Sequence, residues 1–335
     1  MDKKILKYEN PGDAEKYLEL VCRKYSRKSA YRYYISDLVK ALEYTNDNPN
    51  QETIFIQFGK NNELCAHCGL TFDERFKKGE AQFGFFECEN NINTFYDLWD
   101  ELKSIAGQRG INRVFGPVNG TIWHQYRIVK NFKQNYASFI SEPLTEPYYY
   151  SFFDKLNPVN EINYYSGRRE HLEGIKRATK PSYISLINNG YSFELINKTS
   201  YKDIDTIFEI SKRIFKDSWG YIELNEEEFL NLYNRSKIDE FISGIYVARF
   251  NSVVKGFCSV IADKKQYIIK TIGVIPEFQG EGIGNALVYK IHYDAVEDNA
   301  EEMIYALVRK GNKVKYFPKD DVEIIREYAT FVYEM

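Results

Sequence analysis

Hydrophobic positions along the chain alternate between helical and strand spacing, and the same order of elements occurs twice. Residues 13–27 carry Ala14, Tyr17, Leu18, Leu20, Val21 and Tyr25 at helical intervals, after a short strand at Lys4–Tyr8 and an Asn10-Pro11-Gly12 turn. A second helix is expected at about 34–45. Three apolar runs follow between Glu52 and Cys88, separated by Gly-Lys-Asn-Asn and a charged tip, which predicts an antiparallel meander. A helix over 93–108 presents Phe95, Leu98, Trp99, Leu102 and Ile105 on one side, stops at Gly110, and leads to the strand INRVFGPV.

The pattern then restarts. Residues 156–190, with Pro158, Pro181 and the charged run GRREHLEGIKR, are expected to form a partly helical connection. YSFELI predicts a strand, 201–216 a helix, and NEEEFLNLY a second helix capped by Asn225 with Glu228 at the box position. Another three-strand meander runs over 244–275, then a glycine-rich turn, a helix, the strand EEMIYALV and a closing strand over 323–334. The repeated order β, α, α, β, β, β, α, β predicts duplicated architecture with no obvious sequence identity between the halves.

A length of 335 residues with 44% hydrophobic content suits two cores of ordinary size. The net charge of -3 comes from interspersed acids and bases, so no polybasic face for nucleic acid or membrane is evident. No apolar run approaches the roughly 18–20 residues that span a bilayer, and no apolar leader follows Met-Asp-Lys-Lys, so a soluble cytoplasmic protein is expected. Five cysteines, an odd number, suit a reducing compartment without disulfides.

The candidate chemistry centres on VIPEFQGEGIGNALV, residues 274–288. Strand, Gly-rich turn and helix together aim unpaired amides at one point, where the helix dipole favours an anion. A P-loop would need Gly-Lys-Ser/Thr, and Gly282-Ile283-Gly284-Asn285 supplies neither the lysine nor the hydroxyl. A dinucleotide turn wants a third glycine where Asn285 stands. Val274-x-Pro276-x-x-Gln279-Gly280-x-Gly282-Ile283-Gly284 instead resembles the Gln/Arg-x-x-Gly-x-Gly/Ala motif of the GNAT acetyltransferase superfamily, in the same strand–turn–helix context.

That resemblance implies two tandem GNAT-like domains of α/β (α+β) class, each a mixed, mostly antiparallel twisted sheet flanked by helices. Their expected bounds are 1–165 and 191–335, with a linker region at 166–190. It implies that Gln279, Gly280, Glu281, Gly282, Ile283, Gly284 and Asn285 hold the pyrophosphate of acetyl-CoA. It further implies that the fourth strand of the C-terminal domain splays from the fifth, with Ile272, Gly273 and Val274 facing the pantetheine arm and Gly273 as a bulge. Asn312 matches a cofactor-contacting asparagine. Tyr316 is the candidate acid for the leaving thiolate, although it follows Asn312 closely and precedes Pro318. An amine acceptor must lose a proton, and Glu223 and Asp217 are the candidate bases, or else solvated surface carboxylates. Trp219 and Tyr221 either line the acceptor pocket or close the core.

The N-terminal domain has GFFECENNINTFYDLWDEL where its phosphate turn should be, and reads as degenerate for the cofactor. Its segment 110–128, GINRVFGPVNGTIWHQYRI, resembles the Gly-Pro-x-Asn segment of a group of bacterial two-domain GNAT-like proteins. Trp123 and His124 are candidates for a wall of an acceptor site, or a core Trp and surface His. Cys65 and Cys68 form half a zinc site at most, and on a strand they point to opposite faces, so no metal is expected. His292 is expected to be a packed or surface residue. The expected activity is N-acetyl transfer from acetyl-CoA to a small-molecule or peptide amine, without nucleic-acid or membrane partners. A CoA-responsive binding protein and a Fem-like aminoacyl-tRNA-dependent transferase are the alternatives.

Overall fold

The computed structural model describes residues 1–8, 11–132, 136–196, 202–232, 244–263, 265–311 and 321–335. In chain order the elements are β1 (Asp2–Leu6), α1 (Glu15–Tyr25), α2 (Tyr31–Asp47), β2 (Gln51–Lys60), β3 (Glu63–Asp73), β4 (Glu80–Cys88), α3 (Ile92–Gln108), β5 (Arg113–Gly116), β6 (Ile128–Phe132) and α4 (Tyr149–Asp154). They continue with β7 (Asn160–Arg169), α5 (Leu172–Asn188), β8 (Tyr191–Ile196), α6 (Lys202–Phe215), α7 (Glu226–Leu232), β9 (Gly244–Phe250), β10 (Val253–Asp263) and β11 (Gln266–Val274). The last are α8 (Ile283–Glu297), β12 (Glu302–Arg309) and β13 (Glu323–Glu334). Two compact units result: Met1–Tyr164 with Arg326–Met335, and Tyr165–Ile325.

In the first unit the strands run β1-β2-β3-β4-β5-β13, and β6 also pairs with β13. β4 and β5 are parallel while the other described pairings are antiparallel. Alternation along β2 sends Ile54, Ile56 and Phe58 into a core with α3 and α4. Phe55 turns the other way, into a core with α1 and α2. The hairpin between β2 and β3 turns at Asn61 and Asn62, both left-handed (φ 53° and 67°), as a two-residue type I′ turn requires.

In the second unit the order is β12-β11-β10-β9-β8, with β11 and β12 parallel and the other pairings described between these strands antiparallel. Its β9–β10 hairpin turns at Asn251 and Ser252 (φ 50° and 64°). One face packs on α8 and α5 through Ile283, Ala286, Leu287 and Ile291. The other packs on α6 through Ile207 and Ile210. Asn225 and Glu228 form the expected reciprocal box at the start of α7, each side chain bonding the other's backbone amide (2.7 and 2.9 Å).

Three sequence expectations change. Residues 156–190, expected as a partly helical connection, carry a strand as well as a helix: they form β7 and the 17-residue helix α5, which contains Pro181. β6 and α4 carried no recognisable pattern, because both are short and α4 is aromatic throughout its buried face. The closing strand β13 pairs with β5 and β6 and contributes Ala329, Phe331 and Tyr333 to the first unit's core, although its sequence position suggested the second domain. Alternation reveals that a segment is a strand but not which sheet it joins.

Candidate active site

β11 and β12 pair from Gln266–Glu302 to Ile269–Tyr305 and then part. Two backbone irregularities sit at the parting. On β11, Ser259 faces Thr271 while Val260 faces Ile269, which leaves Lys270 as the extra residue of a bulge. On β12, Leu307 is left-handed (φ 59°) and its N–H donates to the buried Ser166 hydroxyl at 3.0 Å. Gly273 is therefore not the bulge that the sequence suggested: it is paired with Phe257 in the ladder. Its missing side chain has another cause, because a Cβ there would lie 2.8 Å from Ile214 Cγ2, where α6 crosses the strand.

Beyond the parting the chain makes a short 3₁₀ turn at Pro276–Phe278, passes through Gln279 to Gly282 and enters α8. Gly280 and Gly282 are left-handed (φ 94° and 92°), a conformation costing an L-residue roughly 1–2 kcal/mol. The Gln279 amide reaches back to the Val274 carbonyl at 3.1 Å and ties the turn to the strand end. Gly282 is the helix cap and offers no capping side chain. The first helical bond is Ala286 N–H to Gly282 O at 3.0 Å, so the amides of Ile283, Gly284 and Asn285 have no carbonyl within the helix. A Cβ at Gly280 or Gly284 would meet open space, and one at Gly282 would meet only Ser182 at 3.4 Å. An anion can approach this bare, positively polarised helix end closely. Nearby acids are engaged: Glu281 accepts from the Tyr191 hydroxyl at 2.7 Å, which with burial raises that phenol to about 12, and Glu277 pairs with Arg213 at 2.5 Å.

The structure thus gathers Ile272–Val274 and Gln279–Asn285 around one strand–turn–helix junction. Asn312 and Tyr316 lie outside the described residues. Glu223 and Asp217 are exposed on the segment between α6 and α7. Trp219 and Tyr221 are half-buried there, and burial together with the Glu223 charge raises the Tyr221 hydroxyl to about 12. His292 is a packing residue: its Nδ1 donates to Val288 O and its Nε2 accepts from Tyr305 Oη, both at 2.8 Å, and burial lowers its pKa to about 4. Lys270, Leu307 and Ser166 escaped sequence reasoning, since nothing in IIKTIGVI marks the bulge and a left-handed leucine has no sequence signal.

The corresponding junction in the first unit is closed. β4 and β5 part after Gln82–Phe115, but Asn119 Oδ1 takes the N–H of the left-handed Phe85 at 2.7 Å, and Val118 N–H bonds Phe83 O at 2.8 Å. The backbone passes so close that a Cβ on Gly84 would lie 1.8 Å from Val118 O. Only Glu89, Asn90 and Asn91 separate β4 from α3, and Asn91 Oδ1 caps the Asn93 and Thr94 amides. Behind them, the buried Glu87 carboxylate accepts from Tyr149 Oη (2.6 Å) and pairs with Lys24 Nζ (3.0 Å). A pyrophosphate would meet capped amides and a carboxylate.

His67, one residue before Cys68, is stacked on Tyr17 (3.9 Å) and holds Phe85 O and Tyr8 Oη with its two ring nitrogens. Cys68 is buried and its thiol is pushed up to about 12, while Cys65 is only half-buried. Among the described residues no group of three His, Cys, Asp or Glu side chains is placed to hold a metal ion.

Residues 204–315 match the model of the Acetyltransferase (GNAT) family. The second unit holds a GNAT domain. Three solved structures share the architecture over nearly the whole chain. A tandem GNAT protein from the clavulanic acid biosynthesis pathway superposes with a TM-score of 0.59 at 10% identity, covering 99% of this chain and 98% of that one. A conserved protein of unknown function from Enterococcus faecalis, described as a probable N-acyltransferase, gives 0.61 at 8% identity over 99% and 72%. A GCN5-related N-acetyltransferase from Sphaerobacter thermophilus gives 0.53 at 10% identity over 99% and 95%. At such identities the likeness is one of fold, which is the tandem GNAT arrangement. A search of curated proteins with this sequence finds no match. The GNAT family as a whole supports acyl transfer as the reaction class. Among the described residues no helix is long and apolar enough to cross a membrane.

Proposed function

We propose that the second unit binds acetyl-CoA at the β11–α8 junction and that the protein transfers the acetyl group to an amine of a small molecule or peptide. The observation that carries this reading is the uncapped start of α8, with left-handed Gly280 and Gly282, directly after the strand that parts from β12. The junction fits the group: bare amides face space that a side chain would have filled, and neighbouring acids are tied up by Tyr191 and Arg213.

When bound, acetyl-CoA supplies an activated thioester carbonyl. The amides of Gly280 to Asn285 would hold its pyrophosphate, and Gln279 would keep that turn on the strand end. Backbone groups of Ile272 to Val274, beyond the parting, would orient the pantetheine arm and donate to the carbonyl oxygen as negative charge develops there. The acceptor amine forms the new C–N bond and the C–S bond breaks, so one proton leaves the amine and one reaches the thiolate. Glu223 is proposed to take the first, directly or through water, and Tyr316 to supply the second, with Asn312 as a further contact to the cofactor.

Calorimetric titration with acetyl-CoA and free CoA, with NAD and ATP as controls, tests the site. Thiol release with a panel of amines tests the reaction. One CoA per chain and acceptor-dependent thiol release are expected. No CoA binding would overturn the proposal, and binding with no turnover on any amine would favour a CoA-responsive binding protein.

A further inference from the structure

The first unit, closed to a pyrophosphate, nevertheless contains a small open cavity, with about 30 Å³ of space free for water-sized groups. Much of its lining comes from the segment Pro117–Ile128, against Tyr34 of α2, Leu144 and Tyr149. Three observations indicate that this is a built site rather than a packing fault.

Gln125 is about nine-tenths buried, and neither its Oε1 nor its Nε2 has a hydrogen-bond partner. Its backbone, by contrast, is fixed on both sides: its N–H donates to Asp37 Oδ2 at 2.7 Å and its carbonyl accepts from Asn119 N–H at 3.4 Å. A buried amide held in place with both ends unused is costly unless a ligand completes it. Next, Arg127 is the one charged residue among the described residues that line the cavity. Its guanidinium lies over the rings of Tyr126 (3.5 Å) and Tyr164 (4.1 Å) and one terminal nitrogen donates to the Tyr126 hydroxyl, but its Nε has no partner and no carboxylate among the described residues pairs with it. Its backbone is left-handed (φ 94°), which a non-glycine residue adopts only where the surroundings impose it. Third, Asn119 spends its Oδ1 on Phe85 N–H, leaving its amide hydrogens as donors at the cavity wall.

We infer that this cavity binds a small organic monocarboxylate that carries a neutral hydrogen-bonding group. Arg127 takes the carboxylate, and the Gln125 amide takes the neutral group as donor and acceptor together. A zwitterion is disfavoured because no acid among the described residues lines the wall to receive an ammonium. The first unit is then a ligand-binding module that has exchanged cofactor binding for recognition of an organic acid.

The test titrates the full chain with 2-hydroxy acids, 2-oxo acids and N-acetyl-amino acids, each beside its neutral primary amide, with and without acetyl-CoA. At least one acid is expected to bind once per chain, its amide far more weakly, and acetyl-CoA not to compete. Arg127→Met should weaken that acid by about 10- to 100-fold, the worth of a charge-assisted hydrogen bond. Gln125→Leu should also weaken it, while leaving the thermal midpoint of the free protein unchanged or higher, because no bond within the fold is lost. The inference fails if no acid binds, if acid and amide bind alike, if acetyl-CoA displaces the acid, if both variants bind normally, or if Gln125→Leu lowers the midpoint.

Discussion

Replacing Gly282 by alanine probes the cofactor site with the smallest possible perturbation. The position sits at φ 92°, ψ 5°, where a β-carbon costs roughly 1–2 kcal/mol, and the added methyl would meet Ser182 at a tolerable 3.4 Å. The expected loss of stability is therefore about 1–2 kcal/mol, or roughly 2–8 °C in the midpoint of a unit of this size, which leaves a folded protein. Binding should suffer as well. To relieve the strain the peptide leaves the left-handed region, which turns the amides of Gly282 and Ile283 away from their common focus, and CoA must restore that conformation at the same cost of about 1–2 kcal/mol, so the affinity should fall by about 5- to 30-fold. Gly282→Val, with a second branch toward Ser182, should abolish it. Calorimetry with free CoA at matched folded fraction measures the effect. An unchanged Kd in a folded Gly282→Ala protein would refute the assignment of the glycine turn to the pyrophosphate.

Gly284→Ala is the companion control: its β-carbon points to open space in the first turn of α8, so stability should rise by up to about 1 kcal/mol in urea denaturation with CoA binding retained. Lys24→Met should destabilise the first unit by about 3–5 kcal/mol, because it leaves the buried Glu87 carboxylate unpaired; adding Glu87→Gln should restore most of the loss in chemical denaturation. Burial lowers His67 to about 3 and His292 to about 4, so below about pH 6.5 the unfolded chain takes protons that the folded chain refuses. Stability should be full above that pH and decline as pH falls toward 4, by up to about 3 kcal/mol for His292 alone, and His292→Gln should flatten the slope.

Periodicity located almost every long element because those elements bury one face, and burial writes a period of two or near four into the sequence. YSFELI occupies the strand it suggested, and Asn225 with Glu228 forms its box. The glycine turn was legible for a related reason: left-handed backbone at Gly280 and Gly282 demands a residue type that stands out. Pairing partners were not legible, so the sheet that receives β13 came only with the structure. Nor was the cause of Gly273, whose vacancy answers Ile214 of α6, a residue far away in sequence. Lys270 and Leu307, which open the strands, are chemically ordinary, and their backbone irregularity is set by neighbours rather than by their own side chains. Gln125 likewise looked like any loop glutamine until its burial showed both ends of the amide unused.

The placement of β13 bears on the order in which the protein matures during synthesis. Phe331 pairs with Gly116, about two hundred residues earlier, and sits in the same core as Phe153 and Trp99. The residues of the second unit, Tyr165–Ile325, are all synthesised before Arg326–Glu334, the stretch of that strand that completes the first unit. The usual sequence, in which the N-terminal domain folds first, is thereby reversed: the acetyltransferase-like unit can close while the first unit still waits for its last strand. Until residue 334 is available, the β5 edge and the aromatic core beneath it lack their cover, a nascent state that chaperones would be expected to recognise.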